Sequence, residues 1–379
     1  MEISKYSFGI GDRFAHQGVN QLKALVAAEA KFGVHFTPVW NKSNREHTIV
    51  GTEPMSTRRE ADAAVKALGY RDAYFCDADH INLSNVDKFI DACDFFTIDV
   101  ADFIGKSGTA EDRYLPAVKE AGRIYRHIAE RKGTDNFVTE VSMDEVPVAQ
   151  QPEEIRYILT ELAKERVPLQ TFAPKFTGRF NKGVDYVGDL VRFEREFEED
   201  LEVLRWAVDE LGLPPNLKLS IHSGSDKFSL YPIMGRLIRK HDAGIHVKTA
   251  GTTWLEEIIG LALADPAALA LAKRIYRIAL ARKDELSVPY ASVIDIDAAK
   301  LPAPETVDGW DAQTFARTLR HDEDDPLYNP DFRQLVHVSF KVAAELGDEY
   351  LAALDRNLDV IGREIEANIG ERHVRRLFP

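Results

Sequence analysis

The fold class is decided by the stretch LKLSIHSGSDKF, residues 217–228. Its apolar residues Leu217, Leu219 and Ile221 alternate with polar ones, the last of which is His222, and small polar residues follow. Strict alternation predicts a β-strand with one apolar and one polar face. A strand that ends on an imidazole and runs into a polar loop is typical of a strand whose carboxyl end reaches a functional site.

Similar short segments recur along the chain, and helix-like segments follow them. The strand candidates are residues 6–10, 35–40, 73–76, 95–100, 137–141, 169–173, 217–222 and 244–249. Eight strand candidates that alternate with eight helix candidates predict an α/β fold, the (β/α)₈ TIM barrel. A doubly wound sheet is the rival, but GIGDRF after the first strand lacks the Gly-x-Gly-x-x-Gly pattern of that fold.

The pattern changes after about residue 265, where helix-like segments follow one another with no strand candidates between them. We expect residues 1–265 to form the barrel and catalytic core. Residues 266–379 are expected to form a helical extension that packs on the barrel within the same domain.

Composition narrows the class of protein. The formal net charge of −14 argues against nucleic acid or an anionic membrane as a partner. The two cysteines, Cys76 and Cys93, are too few for a disulfide framework or a thiolate zinc site, which favours a reducing compartment. The N-terminus lacks the features of a signal peptide, and no apolar run reaches the length of a membrane span. We therefore expect a cytoplasmic protein.

The strand ends carry polar groups that a barrel would bring together. Outward residues of a barrel strand pack on helices, and inward residues near the carboxyl end line the active site. By this parity His222, His246, Lys248 and Glu140 point inward. Buried imidazoles and carboxylates without partners are costly, so their convergence predicts a bound cation.

A divalent metal ion (Zn, Mn, Ni, Co or Fe) with an open coordination position fits these groups. His80, His222 and His246 are the predicted nitrogen ligands. The segment CDADH supplies His80 and, beside it, Asp79. Asp79 or Glu140 is then either a fourth ligand or one of the acid and base groups.

Three lysines are candidates to bind a substrate carboxylate or to steady an enolate: Lys175, Lys227 and Lys248. All three follow or end predicted strands. Two further histidines, His337 and His373, lie in the helical extension and are predicted to be structural unless that extension folds over the barrel mouth.

Five motifs together resemble the tagaturonate/fructuronate epimerase family: YSFGIGDRFAHQGVNQLKA, PVWNKSNREHTIVGTEP, YFCDADHINL, KLSIHSGSDKFSLYP and GIHVKTAGTTWLEE. The resemblance implies a metal-dependent barrel isomerase that acts on a small keto-uronate and inverts one hydroxyl-bearing carbon. It implies Asp79 and a second acidic group as acid and base, with His80, His222 and His246 on the metal. Strand geometry alone suggests Glu140 as the second acid.

The chemistry of such an inversion favours retro-aldol cleavage. The inverted carbon is β to both the ketone and the carboxylate, so simple enolisation does not make its hydrogen acidic. Transient oxidation is the other route, and it needs a tightly held nicotinamide. A base together with a Lewis acid serves the retro-aldol route.

Two other functions stay open at this point. A metal-dependent isomerase or epimerase of another keto sugar or uronate would use the same barrel. A non-catalytic carbohydrate-binding protein is the alternative from a different class, although the strand ends offer charged groups rather than aromatic platforms. The sequence also leaves a homo-oligomer open.

Overall fold

Eight parallel strands close into a barrel in chain order in the computed structural model, which describes residues 1–249 and 251–379. The strand β8 pairs with β1 and completes the ring. The predicted (β/α)₈ barrel is therefore confirmed. The strands are β1 (Tyr6–Ile10), β2 (Thr37–Ser43), β3 (Phe75–Ile81), β4 (Phe95–Asp99), β5 (Val138–Ser142), β6 (Leu169–Ala173), β7 (Lys218–Ile221) and β8 (Ile245–Lys248).

Helices connect the strands along the outside of the barrel, with one exception. The connection from β3 to β4 carries only the 3₁₀ helix Val86–Lys88, so the expectation of a helix after every strand is wrong there. The reason is that β3 extends through the segment CDADH to Ile81, which leaves few residues before β4. The helices are α1 (Gly18–Phe32), α2 (Asn44–Val50), α3 (Pro54–Leu68), α4 (Ala110–Lys132), α5 (Pro152–Lys164), α6 (Leu190–Leu211), α7 (Tyr231–Lys240) and α8 (Thr252–Ala264).

The barrel interior changes from apolar to charged along its axis. At the amino-terminal end, Val39, Phe75, Phe95 and Val138 form a separate apolar cluster with Ile3. Nearer the carboxyl ends of the strands the inward side chains are polar or charged. This apolar cluster lies at the amino-terminal end of the barrel, whereas Asp79, His222 and Lys248 lie at the other end.

Helices continue to the end of the chain. The helix α16 packs against α1 and α8, and α12 also packs against α8. These contacts lead us to infer that the extension and the barrel fold as one domain. The helices are α9 (Pro266–Ala281), α10 (Lys283–Ser287), α11 (Pro304–Asp308), α12 (Ala312–Leu319), α13 (Pro330–Val338), α14 (Phe340–Leu346), α15 (Asp348–Arg356), α16 (Leu358–Glu366), the π-helical Ala367–Val374 and α17 (Arg375–Leu377). Of the described helices, none is both long enough and apolar enough to cross a membrane.

A buried carboxyl group, Glu60 on α3, lies against the start of α1. A Cβ placed on Gly18 would meet the Glu60 Cγ at 2.6 Å, so this glycine allows the close packing of the two helices. Both Glu60 oxygens are buried without a hydrogen-bond partner among the described residues. Burial, followed by repulsion from Asp12, raises the pKa of Glu60 well above its usual range. Burial therefore favours the neutral form of this side chain.

We expect Glu60→Gln to flatten the pH dependence of stability. The folded-state pKa of Glu60 is raised, so its contribution is most favourable below the unfolded pKa of about 4.3 and declines as the pH rises toward the folded value. Each unit between the two pKa values is worth about 1.4 kcal/mol of unfolding free energy. Urea unfolding at pH 5 and pH 8 measures this decline. It should shrink in Glu60→Gln and persist in the exposed control Glu53→Gln; an unchanged decline in both would contradict the assignment.

Candidate active site at the carboxyl end of the barrel

A cavity of about 510 Å³ opens at the carboxyl ends of the strands. Its wall combines strand ends, the loops after β5, β6 and β7, and parts of the helical extension such as Ser292 and His337. The volume suits a small organic ligand. The polar and charged side chains that line it are Asn41, Asp79, His80, Asp144, Glu145, Lys175, Arg179, Lys182, His222, Ser223, Ser225, Lys227, Lys248, Ser292 and His337.

The ammonium group of Lys248 lies among three carboxylates at the base of this cavity. Its Nζ is 2.8 Å from Asp77 Oδ2, 2.7 Å from Asp79 Oδ1 and 2.9 Å from Glu140 Oε1. It also donates to Thr97 Oγ1 at 2.5 Å. Burial alone would lower the pKa of Lys248, but the surrounding carboxylates raise it well above the usual range. The lysine is therefore charged and joins β3, β4, β5 and β8.

The three carboxylates differ in charge because their surroundings differ. Burial, with repulsion from Asp79 and Glu140, raises the pKa of Asp77 to about 7. Burial also opposes ionisation of Asp79, but Lys248 and the neighbouring imidazoles outweigh it and hold its pKa below the usual range. Only Asp79 of the three lines the cavity, while Asp77 and Glu140 are 1% and 0% exposed beneath it. Asp79 is thus the ionised carboxylate that a ligand can reach.

A second group at the mouth combines two imidazoles with one carboxylate. His80, Asp144 and His222 each offer a ligand atom, and these atoms lie within 4.8 Å of one another. The rings of His80 and His222 have centroids 4.9 Å apart. His80 has a positive φ of 51°, a conformation that costs energy for a residue with a side chain and is often found at functional sites.

In each imidazole, one ring nitrogen is held by a carboxylate. The His80 Nδ1 is 2.9 Å from Asp99 Oδ2, and the His222 Nε2 is 2.7 Å from Glu140 Oε1. Such carboxylate partners orient histidines that ligate metals. The other nitrogen of His222, Nδ1, faces Asp144 Oδ1 at 3.2 Å but is not aligned for a hydrogen bond. Two ligand atoms that face each other in this way suit a shared cation.

These residues fit a divalent metal ion. Two histidines and one carboxylate form a donor set found in catalytic zinc sites, where a further position stays open for water or substrate. The structure therefore brings together two of the three predicted histidine ligands, His80 and His222. It adds Asp144 to them.

The third predicted ligand, His246, lies deeper in the barrel. Its Nδ1 is 2.8 Å from Ser7 Oγ, its ring lies against Phe95, and it is fully buried. It aligns with Ser220 across the β7–β8 pair, two residues short of His222. Two residues along a strand span about 6.6 Å. His246 therefore points into the barrel, as predicted, but lies deeper along the barrel axis than His222. Burial lowers the pKa of His246 to about 3, and it remains neutral.

The predicted lysines have three different surroundings. Lys248 is enclosed by carboxylates, as described above. Lys227 is buried, and its Nζ donates to the backbone carbonyls of Asn181, Val184 and Ser225 at 2.9, 2.7 and 2.9 Å. These bonds use all three donors of an ammonium group, so Lys227 holds two loops together. Lys175 is half-buried on the cavity wall.

The helical extension reaches this site through the loop after β7. Arg333 is fully buried and pairs with Asp226, which has a positive φ of 60°, at 2.5 Å. His373 accepts a hydrogen bond from the Asp226 backbone N–H at 3.2 Å. The structural role expected of His373 agrees with this contact. His337, by contrast, lines the cavity, because the extension folds over the barrel mouth.

Sequence reasoning missed Asp144 and Lys182 as members of the site, and it placed Asp77 near Asp79 and His80 without predicting a role for it. Asp77 shares the inward parity of Asp79 on β3, which was an available signal. Asp144 lies two residues beyond the end of β5, and Lys182 lies in the long loop after β6. Loops carry no periodicity, so nothing in the local sequence pointed to these two residues.

Comparisons with known proteins identify the family and the fold of this chain. The tagaturonate epimerase family matches residues 108–377, and the chain belongs to that family, whose members are isomerase-class enzymes. A tagaturonate/fructuronate epimerase of Thermotoga maritima is 27% identical and aligns with 97% of this chain and 80% of its own. Crystal structures of a fructuronate-tagaturonate epimerase from Cohnella laeviribosi share the fold. The glycerol complexes have TM-scores of 0.83 and 0.84 at 22% and 23% identity, covering 100% of this chain and 82% of theirs.

We expect substitutions of His222 and Asp144 to lower the metal content of the protein, and a substitution of His246 to leave it unchanged. His222→Ala and Asp144→Asn should each remove most of the divalent metal that the purified protein retains, because each removes a donor from the group. His246→Asn should retain it, since that imidazole lies at another level. Elemental analysis of the dialysed proteins, with circular dichroism to confirm folding, measures the difference. Metal loss in the folded His246 variant alone would reverse the assignment.

Proposed function

We propose that this protein interconverts fructuronate and tagaturonate by metal-assisted retro-aldol cleavage and re-closure. The observation that carries the proposal is the juxtaposition, in one cavity of an epimerase-family barrel, of the ionised Asp79 with the His80, Asp144 and His222 group. The cavity volume of about 510 Å³ accommodates a six-carbon acid.

The base of the reaction is Asp79. Its carboxylate takes the proton from the hydroxyl of the carbon to be inverted. The bond from that carbon toward the ketone side then breaks, leaving an aldehyde and a three-carbon enediolate. The aldehyde presents its other face, the same bond re-forms, and the proton returns to the new hydroxyl. Atoms and electrons balance without an external oxidant or reductant.

The neighbours of Asp79 prepare it for this role. The Lys248 ammonium 2.7 Å away keeps the carboxylate ionised, so that it can accept the proton of the substrate hydroxyl. Glu140 lies beneath the cavity and accepts from both His222 and Lys248, so it acts through them rather than on the substrate. A divalent cation held by His80, Asp144 and His222 would supply positive charge that stabilises the negative charge developing on the substrate oxygens.

Water exclusion matters because the enediolate and the aldehyde must stay together. The helical extension contributes Ser292, Val293 and His337 to the cavity wall. The backbone N–H of Lys182 donates to the Val293 carbonyl at 2.7 Å, which ties the loop after β6 to the extension. These contacts partly cover the mouth and favour re-closure over loss of the fragments.

We expect Asp79→Asn to retain metal and substrate binding while losing turnover by about 10²–10⁴-fold, the usual contribution of a general base. Steady-state kinetics should show the loss in kcat, with a smaller change in KM. Glu145→Gln, which removes another carboxylate from the same cavity wall, is the matched control and should retain most of the activity. Loss of metal from Asp79→Asn would instead make Asp79 a ligand.

Incubation of the purified protein with fructuronate and Mn²⁺ tests the reaction itself. Tagaturonate should form without added nicotinamide, and chelation should stop its formation. In D₂O the inverted carbon should keep its own hydrogen, because that hydrogen travels with the aldehyde. Mass spectrometry and NMR measure this retention.

Two results would contradict the mechanism. Deuterium at the inverted carbon would show that its C–H bond is broken by proton removal. Retention of hydrogen together with a nicotinamide that copurifies and absorbs in the near ultraviolet would favour transient oxidation. If no tagaturonate forms although metal is bound, the substrate assignment is wrong.

A further inference from the structure

Three of the five lysine and arginine side chains on the cavity wall are engaged by the protein itself. Lys248 is surrounded by carboxylates, and Lys227 donates to three carbonyls. Arg179 pairs with Asp295 at 2.8 Å on the exposed rim. The charges of Lys248 and Arg179 are thus paired with carboxylates, and Lys227 has no N–H donor left for a ligand.

Lys182 differs from them. Its Nζ donates to Ser223 Oγ at 2.8 Å, and no carboxylate oxygen of the described residues lies within 4.0 Å of it. Ser223 directly follows His222, so the ammonium is held at the edge of the His80, Asp144 and His222 group. Lys182 therefore presents a fixed positive charge beside the site of the proposed chemistry.

The electrostatic surroundings of Lys182 favour the arrival of an anion. Burial, followed by repulsion from Arg45, lowers the pKa of Lys182, although the more distant carboxylates of Glu145, Asp144 and Glu46 oppose this shift. The Arg45 guanidinium lies over the ring of Tyr290, 5.0 Å from its centroid, and forms no ion pair within 4.0 Å among the described residues. Neither cation forms a direct ion pair among the described residues, so an anion that binds beside Lys182 supplies a counter-charge at hydrogen-bond distance.

We propose that Lys182 binds the carboxylate of the substrate and thereby makes the site selective for uronates over neutral ketoses. The inference rests on the proposed function for the identity of the substrate, but the charge that it invokes is independent of turnover. Lys175 lines the same cavity, but no hydrogen bond like that from Lys182 to Ser223 holds its ammonium group among the described residues. The charge of Lys248 is already neutralised by carboxylates. Lys182 is accordingly the cationic side chain on this wall that is held in position to donate hydrogen bonds to an anion.

Binding of two unreactive polyols to the full-length metal-loaded protein tests the proposal without catalysis. Gluconate carries a carboxylate and sorbitol does not. A charge-assisted contact is worth about 1.5–3 kcal/mol, so the wild type should bind gluconate about 10- to 100-fold more tightly than sorbitol by calorimetry. Lys182→Met should abolish the preference for gluconate without weakening the binding of sorbitol. Lys182→Arg should keep the preference.

Control variants and kinetics complete the test. Arg179→Met removes a cation that is paired with Asp295 and should preserve the preference for gluconate. With tagaturonate, Lys182→Met should raise KM about tenfold or more while kcat changes little, as expected for a group that binds ground and transition state equally. With tagatose, which lacks the carboxylate, the same substitution should change KM little.

The proposal is overturned if the wild type shows no preference for gluconate, if folded Lys182→Met keeps the preference, or if Lys175→Met alone removes it. Failure of the proposed function gives a different pattern. In that case the wild type does not interconvert the keto-uronates, yet the preference for gluconate still depends on Lys182.

Discussion

The arrangement of the site depends on one buried ammonium group. Lys248 on β8 lies within 3 Å of three carboxylates, from β3 and β5, and also donates to Thr97 on β4. Buried carboxylates without a counter-charge are expensive, and removal of one partner from such a network costs several kcal/mol. The lysine therefore makes it feasible to gather acidic groups inside the barrel. It also leaves Asp79 ionised where the cavity begins.

The apolar floor of the barrel has a complementary role. The cluster of Val39, Phe75, Phe95 and Val138 with Ile3 fills the amino-terminal end. It keeps the charged layer away from water on that side, so the low-dielectric surroundings strengthen each contact above it. Charges held in fixed positions above an apolar floor are what a proton transfer at a fixed position requires.

The helical extension belongs to the site as much as the strands do. Arg333 and His373 hold the loop that follows His222, and His337 occupies the wall beside Gly183 and Gly251. A Cβ on Gly251 would lie 2.1 Å from the His337 Nε2, so this close approach needs a glycine. The barrel supplies the chemistry from its strand ends, and the extension fixes the loops around it.

The sequence by itself determined the face on which each strand residue lies. Alternation with period two placed Glu140, His222, His246 and Lys248 inside, and the succession of strands and helices predicted the barrel, because both follow from local backbone geometry. Tertiary structure alone decided the level of each residue along the barrel axis, since level depends on how neighbouring strands are staggered. That stagger puts His246 opposite Ser220 rather than opposite His222, and loop packing, which has no sequence period, adds Asp144 and Lys182.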